Sequence, residues 1–193
     1  MGEWATLVCA APDTICGSLG EGLSCVPNEP YLLGISGAGE QGVATFDSRT
    51  IYLMSIDTQA DSVEVTAFGL VAPSGDALVA QMGIYRARED APSSPGALEW
   101  LTELPFVVPP GVSEVPSQGC LLLAGSARYW LAIRWLGLPV SWSSVALPGT
   151  SLWRVPEEPD TGNFPLIVDP SVPAVEGIGL SIFIKVRTRF SCE

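Results

Sequence analysis

The side chains best suited to chemistry in this chain are carboxylates, cysteines and tryptophans, because histidine is absent. Without imidazole no Ser-His or Cys-His dyad can form, and no histidine can bind a metal. Acid–base work would fall to carboxylates, tyrosines or the single lysine, Lys185. Glu64, Glu99 and Glu103 are the carboxylates on which a glycoside-hydrolysing pair would draw. They fall on different predicted strands, and the chain is expected not to be an enzyme.

Oxygen donors concentrate in the run Glu157-Glu158-Pro159-Asp160-Thr161-Gly162-Asn163. Glu157, Glu158, Asp160 and Asn163 are the candidate calcium ligands there, although the run lacks the alternating spacing of an EF-hand loop and reads equally as a solvated acidic loop. Gly34 to Gly42 is rich in glycine, but no Lys-Ser or Lys-Thr pair follows it and Glu40 would repel phosphate, so it is read as a turn or subunit contact. No cofactor is expected. Among the tryptophans, Trp142 (in Ser-Trp-Ser-Ser) and Trp153 (in Leu-Trp-Arg) sit in loop-like contexts, where they could stack on a glycan or a protein partner.

The five cysteines are Cys9, Cys16, Cys25, Cys120 and Cys192, and no two form a Cys-x-x-Cys pair. A zinc or redox motif is therefore not expected. Cys9, Cys16, Cys25 and Cys192 are the candidates for disulfides that tie terminal segments to a core; buried free thiols are the alternative. An odd count leaves at least one thiol unpaired within a monomer.

The elements that must position these groups read as strands. Tyr31–Ile35 is a short strand, and Val43–Phe46 and Ile51–Ile56 form a strand pair around Asp47-Ser48-Arg49-Thr50. In Ser62–Val71 the alternation puts Val63, Val65 and Ala67 on one face, with Glu64, Thr66 and Phe68 on the other. In Gln81–Arg86, Met82 and Ile84 share a face opposite Tyr85. Leu98–Leu104 reads as a strand, and the proline-rich stretch 105–116 as extended chain along an edge. Tyr129, Leu131, Ile133 and Trp135 face one way. The last strand aligns Leu180, Ile182, Ile184 and Val186 against Ser181, Lys185 and Arg187, with Phe183 as the apolar exception.

No segment reads as a long helix, and the 20 glycines and 17 prolines suit short strands joined by tight turns. The expected fold is all-β, an antiparallel β-sandwich or jelly roll. Residues 1–30 show no clean period and are expected to form an irregular arm, and residues 31–193 a single sandwich domain. A net charge of −12, with no basic run, argues against nucleic acid and anionic membrane surfaces as partners. The most apolar stretch, Cys120–Trp142, is interrupted by Arg128 and Arg134, so no membrane span is expected.

Between Gln81 and Ile133 the strands and turns come in a set order: Gly83-Ile84-Tyr85, then Pro95-Gly96-Ala97-Leu98, then Leu122 through Ala132 with Gly125 in the turn. This order resembles a β-sandwich module of tailed-bacteriophage virion proteins and of some bacterial surface proteins, with Ile51–Ile56 similar to its opening strand. The resemblance covers roughly residues 43–135. Gln81-Met82 stands where that family usually has a basic residue, and long fibre segments are missing. The resemblance therefore implies a short subunit that decorates a shell, tube or fibre.

The expected function is that of a non-enzymatic virion structural protein, a capsid decoration or a tail- or fibre-associated subunit, located on the particle. Its expected partners are other virion subunits and further copies of itself. The arm residues Trp4, Leu7 and Val8 would clasp a neighbour, each burial worth roughly 1.5–3 kcal/mol. The alternative is an extracellular or cell-surface module that binds carbohydrate, including a host-surface glycan. Glu3 is the only early charge, so the positive region of a secretory leader is missing; this leans towards assembly in a host cytoplasm.

Overall fold

The computed structural model describes residues 14–19, 22–27, 30–36, 41–46, 49–59, 61–72, 77–137, 140–156, 163–168 and 174–188. Among the described residues there are fourteen strands and no helix. β1 (Thr14–Leu19) and β2 (Gly22–Pro27) form an antiparallel hairpin, so the segment expected to be irregular carries regular structure. The remaining strands are β3 (Tyr31–Gly34), β4 (Gln41–Phe46), β5 (Thr50–Asp57), β6 (Val63–Ala72), β7 (Leu78–Ala87), β8 (Pro95–Leu101), β9 (Phe106–Val108), β10 (Gly111–Leu123), β11 (Arg128–Leu136), β12 (Val140–Pro156), β13 (Ala174–Leu180) and β14 (Ile182–Arg187).

They make two antiparallel sheets packed face to face, the expected β-sandwich. Sheet I has the order β10-β6-β14-β3, and sheet II the order β13-β12-β5-β11-β7-β8, with β4 on β12 and β9 on β7. The core between them takes Met54 and Ile56 from β5, Met82 and Ile84 from β7, and Tyr129, Leu131, Ile133 and Trp135 from β11. Sheet I contributes Phe68, Leu70, Ile182, Ile184 and Val186. The faces expected for β7, β11 and β14 are those observed, because their alternation is unbroken and Cβ atoms alternate across a strand.

Two expectations fail for identifiable reasons. β4 and β5 are not paired with each other: β11 and β12 occupy the two edges of β5, and β4 pairs with β12 instead. In β6 the alternation changes phase at Thr66, where the register shifts against both β14 and β10. Val63 and Val65 point into the core as expected, but beyond the bulge it is Phe68, Leu70 and Ala72 that do so. One extra residue moves every later side chain to the opposite face.

The bulge is matched on β10, where residues 117–120 have no partner on β6 and Ser117 Oγ donates to Val65 O at 2.7 Å. The turn between β10 and β11 is fixed by Thr58, whose Oγ1 accepts from Ala127 N at 2.9 Å and lies 2.7 Å from Ala124 O. Ser126, rather than Gly125, takes the left-handed conformation there, with φ of 51°.

Candidate functional site

Phe183, the apolar exception of the last strand, lies on the outer face of sheet I. Its register partners are Gly69 on β6 and Gly34 on β3. A Cβ on Gly69 would sit 2.1 Å from Phe183 Cζ, so the ring lies directly over the glycine. Glycine here makes room for an aromatic side chain that is only 1% exposed.

The outer face of sheet II carries a second apolar layer, built from Ile51, Leu53, Tyr85, Trp130, Ala132, Trp153 and Val155. Apolar residues at successive positions, as in Trp130-Leu131-Ala132, mark strands buried on both faces. Part of the cover is a strap, residues 163–168, which begins at Asn163, the last residue of the run read as an acidic loop. Phe164 is buried and stacks on Tyr85, with ring centroids 6.5 Å apart. The Arg134 guanidinium lies 5.7 Å from the Phe164 centroid, within the range of a cation–π contact. Gly83 lies beneath: a Cβ there would be 2.9 Å from Trp100 O and 3.3 Å from Phe164 Cε1. Tyr85 donates its hydroxyl to Pro165 O at 2.8 Å. Leu98 N donates to Leu166 O at 2.9 Å and Val168 N to Gly96 O at 3.1 Å, so the strap also pairs with the edge of β8.

Under the strap is a buried polar chain. Arg134 donates to Gln81 Oε1 at 2.9 Å, Gln81 donates to Thr102 O at 3.2 Å, and Met82 N donates to Thr102 Oγ1 at 3.2 Å. Gln81 and Arg134 thus place an amide and a guanidinium side by side on neighbouring strands. The chain meets the strap where the Arg134 guanidinium faces the Phe164 ring.

The predicted site residues separate. Glu64 on β6 pairs with Arg187 at 3.1 Å, and Glu99 on β8 with Arg86 at 2.6 Å. Glu103 follows β8, and its backbone N donates to Gln118 Oε1 at 3.4 Å. Trp142 and Trp153 both lie in β12 rather than in loops. Trp153 is 6% exposed, and its indole packs in the outer layer of sheet II, so it presents no stacking face. Along Leu152-Trp153-Arg154-Val155 only Arg154 is exposed, the mark of a strand buried on both faces for part of its length. The indole N–H groups of Trp130 and Trp153 are both buried without an acceptor. The side chain of Trp142 lies outside the described residues, as do Glu157, Glu158, Asp160, Trp4, Leu7 and Val8. Asn163 is exposed at the start of the strap. Among the described residues, no three His, Cys, Asp or Glu side chains gather as metal donors.

Two shallow hollows are described. One, of about 650 Å³, is lined by Asp57, Thr58, Pro92, Ser93, Ser126, Ala127 and Arg128. Its single carboxylate is held by Arg128, at 2.7 Å and 2.8 Å through two parallel bonds. The other, of about 400 Å³, runs from Arg86 to Asp90 beside Gly96 and Ile167, and Arg88 bonds Asp90 in the same two-pronged way.

The hydrogen bond from Arg128 holds the Asp57 carboxyl below its usual range, against a partial burial that raises it, and the arginine's charge adds to the lowering. A carboxylate lowered in the folded state stabilises fully above its unfolded value of about 3.9, and this contribution fades as pH falls through the folded value. Asp57→Asn is therefore expected to be slightly less stable at neutral pH, with the gap closing below about pH 4. Urea melts across that range measure it, and a gap that persists in acid contradicts the assignment. The effect is small because Asp57 is 61% exposed.

Cys120 is disulfide-bonded and stands exposed at the end of the β10 bulge. It was missing from the sequence-derived disulfide candidates, since nothing local to Gln118-Gly119-Cys120 signals a bridge. The Cα positions of Cys16 and Cys25 are direct partners across the β1–β2 hairpin. Cys9 and Cys192 lie outside the described residues.

Comparison with protein families, with curated proteins and with solved structures gives no match.

Proposed function

We propose that the chain is a non-enzymatic structural subunit of a bacteriophage particle, a shell decoration or a tail- or fibre-associated component. It works by packing against other virion subunits and copies of itself. The observation that carries this reading is an exposed apolar rim formed by Leu104, Val107 and Val112, at 73%, 67% and 63% exposure. They lie where two sheet edges approach: the broken β8–β9 edge of sheet II, and β10 at the edge of sheet I. The bond from Glu103 N to Gln118 ties these edges together.

Pro105, Pro109, Pro110 and Pro116 are exposed around this rim. Proline lacks an N–H and cannot extend a ladder, so these edges resist strand addition and favour side-chain packing. Exposed apolar groups framed by rigid backbone are what repeated contacts between subunits use. The resemblance of residues 43–135 to phage virion sandwiches points the same way.

Leu104→Ser, Val107→Ser and Val112→Ser combined should leave the melting temperature nearly unchanged, because these side chains are already in water. Incorporation into particles, read by mass spectrometry of purified particles in competition with wild type, should be lost. Deleting residues 1–25 in a parallel arm should abolish incorporation as well. Full incorporation of both variants would sink the reading. A stable monomer that binds glycans would replace it with the carbohydrate-binding alternative.

A further inference from the structure

We infer that copies of this chain meet head to tail: the apolar rim of one copy seats against Leu166 and Ile167, on the strap of the next. The inference rests on the reading of the rim as a subunit contact and adds which surface it meets. The five most exposed large apolar side chains among the described residues fall into two groups. Leu104, Val107 and Val112 form the rim; Leu166 and Ile167, at 71% and 67% exposure, form the other.

Both groups lie along one edge of sheet II. Val107 sits opposite Val79 at the start of β7, and Leu98 sits opposite Tyr85 near its end. The strap pairs with β8 through Ala97 and Ile167, so the groups are about 20 Å apart along β7 at the usual rise per residue. They cannot meet within one copy, but they meet when a second copy is displaced along the strands. Their shapes differ as well. Leu104 stands out from the rim, whereas Ile167 borders the hollow of about 400 Å³, where Ala87, Gly96 and Ala97 leave room for an incoming side chain.

Charge selects the same arrangement. Glu103, next to Leu104, enters no ion pair among the described residues. Rim against rim would bring two copies of Glu103 together, and like charges across a contact oppose it. Rim against strap brings Glu103 to Arg86 at the hollow. Arg86 holds Glu99 through Nε at 2.6 Å, and its side chain is 57% exposed, so its other edge faces water. A guanidinium has N–H donors enough for a second carboxylate. Of the other carboxylates at the hollow, Asp90 is held by Arg88 and Glu89 remains, so the attraction is local to Arg86. Such a contact is heterologous: it continues into a ring or a helical array instead of stopping at a pair. Five side chains cover less than the roughly 800 Å² per partner of a stable interface, so one contact is weak and many in an array add up.

The test is sedimentation velocity on the purified chain at concentrations up to about 1 mM, where weak association is visible. Wild type should grow beyond two copies as concentration rises. A rim variant (Leu104→Ser, Val107→Ser, Val112→Ser) and a strap variant (Leu166→Ser, Ile167→Ser) should each stay monomeric, with melting temperatures close to wild type. Mixed in equal amounts they should form a pair and nothing larger, because each keeps one working face. Glu103→Arg should weaken association about tenfold, and Arg86→Glu in the same chain should restore it. The inference is overturned by a wild type that stays monomeric or stops at two copies, by a mixture that does not pair, by a strap variant that associates like wild type, or by no restoration. If the strap variant associates normally while the rim variant is shut out of particles, the head-to-tail contact fails and the particle reading stands. If wild type associates as expected while the rim variant incorporates fully, the particle reading fails and the contact stands.

Discussion

Phe164→Ala is expected to destabilise the protein by about 3–5 kcal/mol, the range for removing a buried phenylalanine. The ring is 3% exposed and serves several neighbours at once. It stacks on Tyr85, receives the Arg134 guanidinium on its face and packs over Gly83. Alanine leaves a hole above Gly83 that cannot close, because the backbone of β7 is held between β8 and β11. The polar chain from Arg134 through Gln81 to Thr102 also loses its apolar lid, and water can then compete for it.

Two readouts separate strap release from general weakening. Hydrogen exchange should accelerate at the amides of Leu98 and Val168, which the strap pairing protects. Tryptophan emission should shift to the red, since Trp130 and Trp153 belong to the same layer. Tyr85→Phe, which removes the hydroxyl that donates to Pro165, should show the same exchange pattern at a cost of about 1 kcal/mol. Unchanged protection at Leu98 and Val168 in Phe164→Ala would mean that the strap is held by something other than this ring.

Gly69→Val should cost about 3 kcal/mol, at the upper end for forcing atoms into a filled site. Three atoms of the Phe183 ring would lie 2.1–2.7 Å from the new Cβ, closer than real contacts allow. The ring is buried and cannot simply swing into solvent. Relief therefore requires movement of β14 against β6, the central pair of sheet I. Chemical denaturation gives the size of the effect, and a double-mutant cycle gives its cause. Gly69→Val combined with Phe183→Leu should cost less than the two single changes summed, because the smaller side chain vacates the contested space. Strict additivity would show that valine acts through the backbone alone.

Much of the architecture was legible because it follows from local chemistry. Alternation along residues 129–135 and 182–186 requires one face to be buried, and proline and glycine spacing requires turns between short strands. The Tyr85 side of β7 was separable from the Met82–Ile84 side for the same reason. What failed were features that depend on a partner strand: the phase change at Thr66, β4 choosing β12, and Trp153 lying in a strand rather than a loop.

By itself, then, the sequence determined the all-β class, the inward faces of β7, β11 and β14, and the absence of any imidazole chemistry. Each follows from side-chain type and a period of two. Only the tertiary structure decided that Phe164 and the strap cover sheet II, that Gly69 and Gly34 flank Phe183, and that Cys120 is bridged. These depend on which distant segments meet. A single strand states how its own faces differ, but it does not state which segment far along the chain will lie on them.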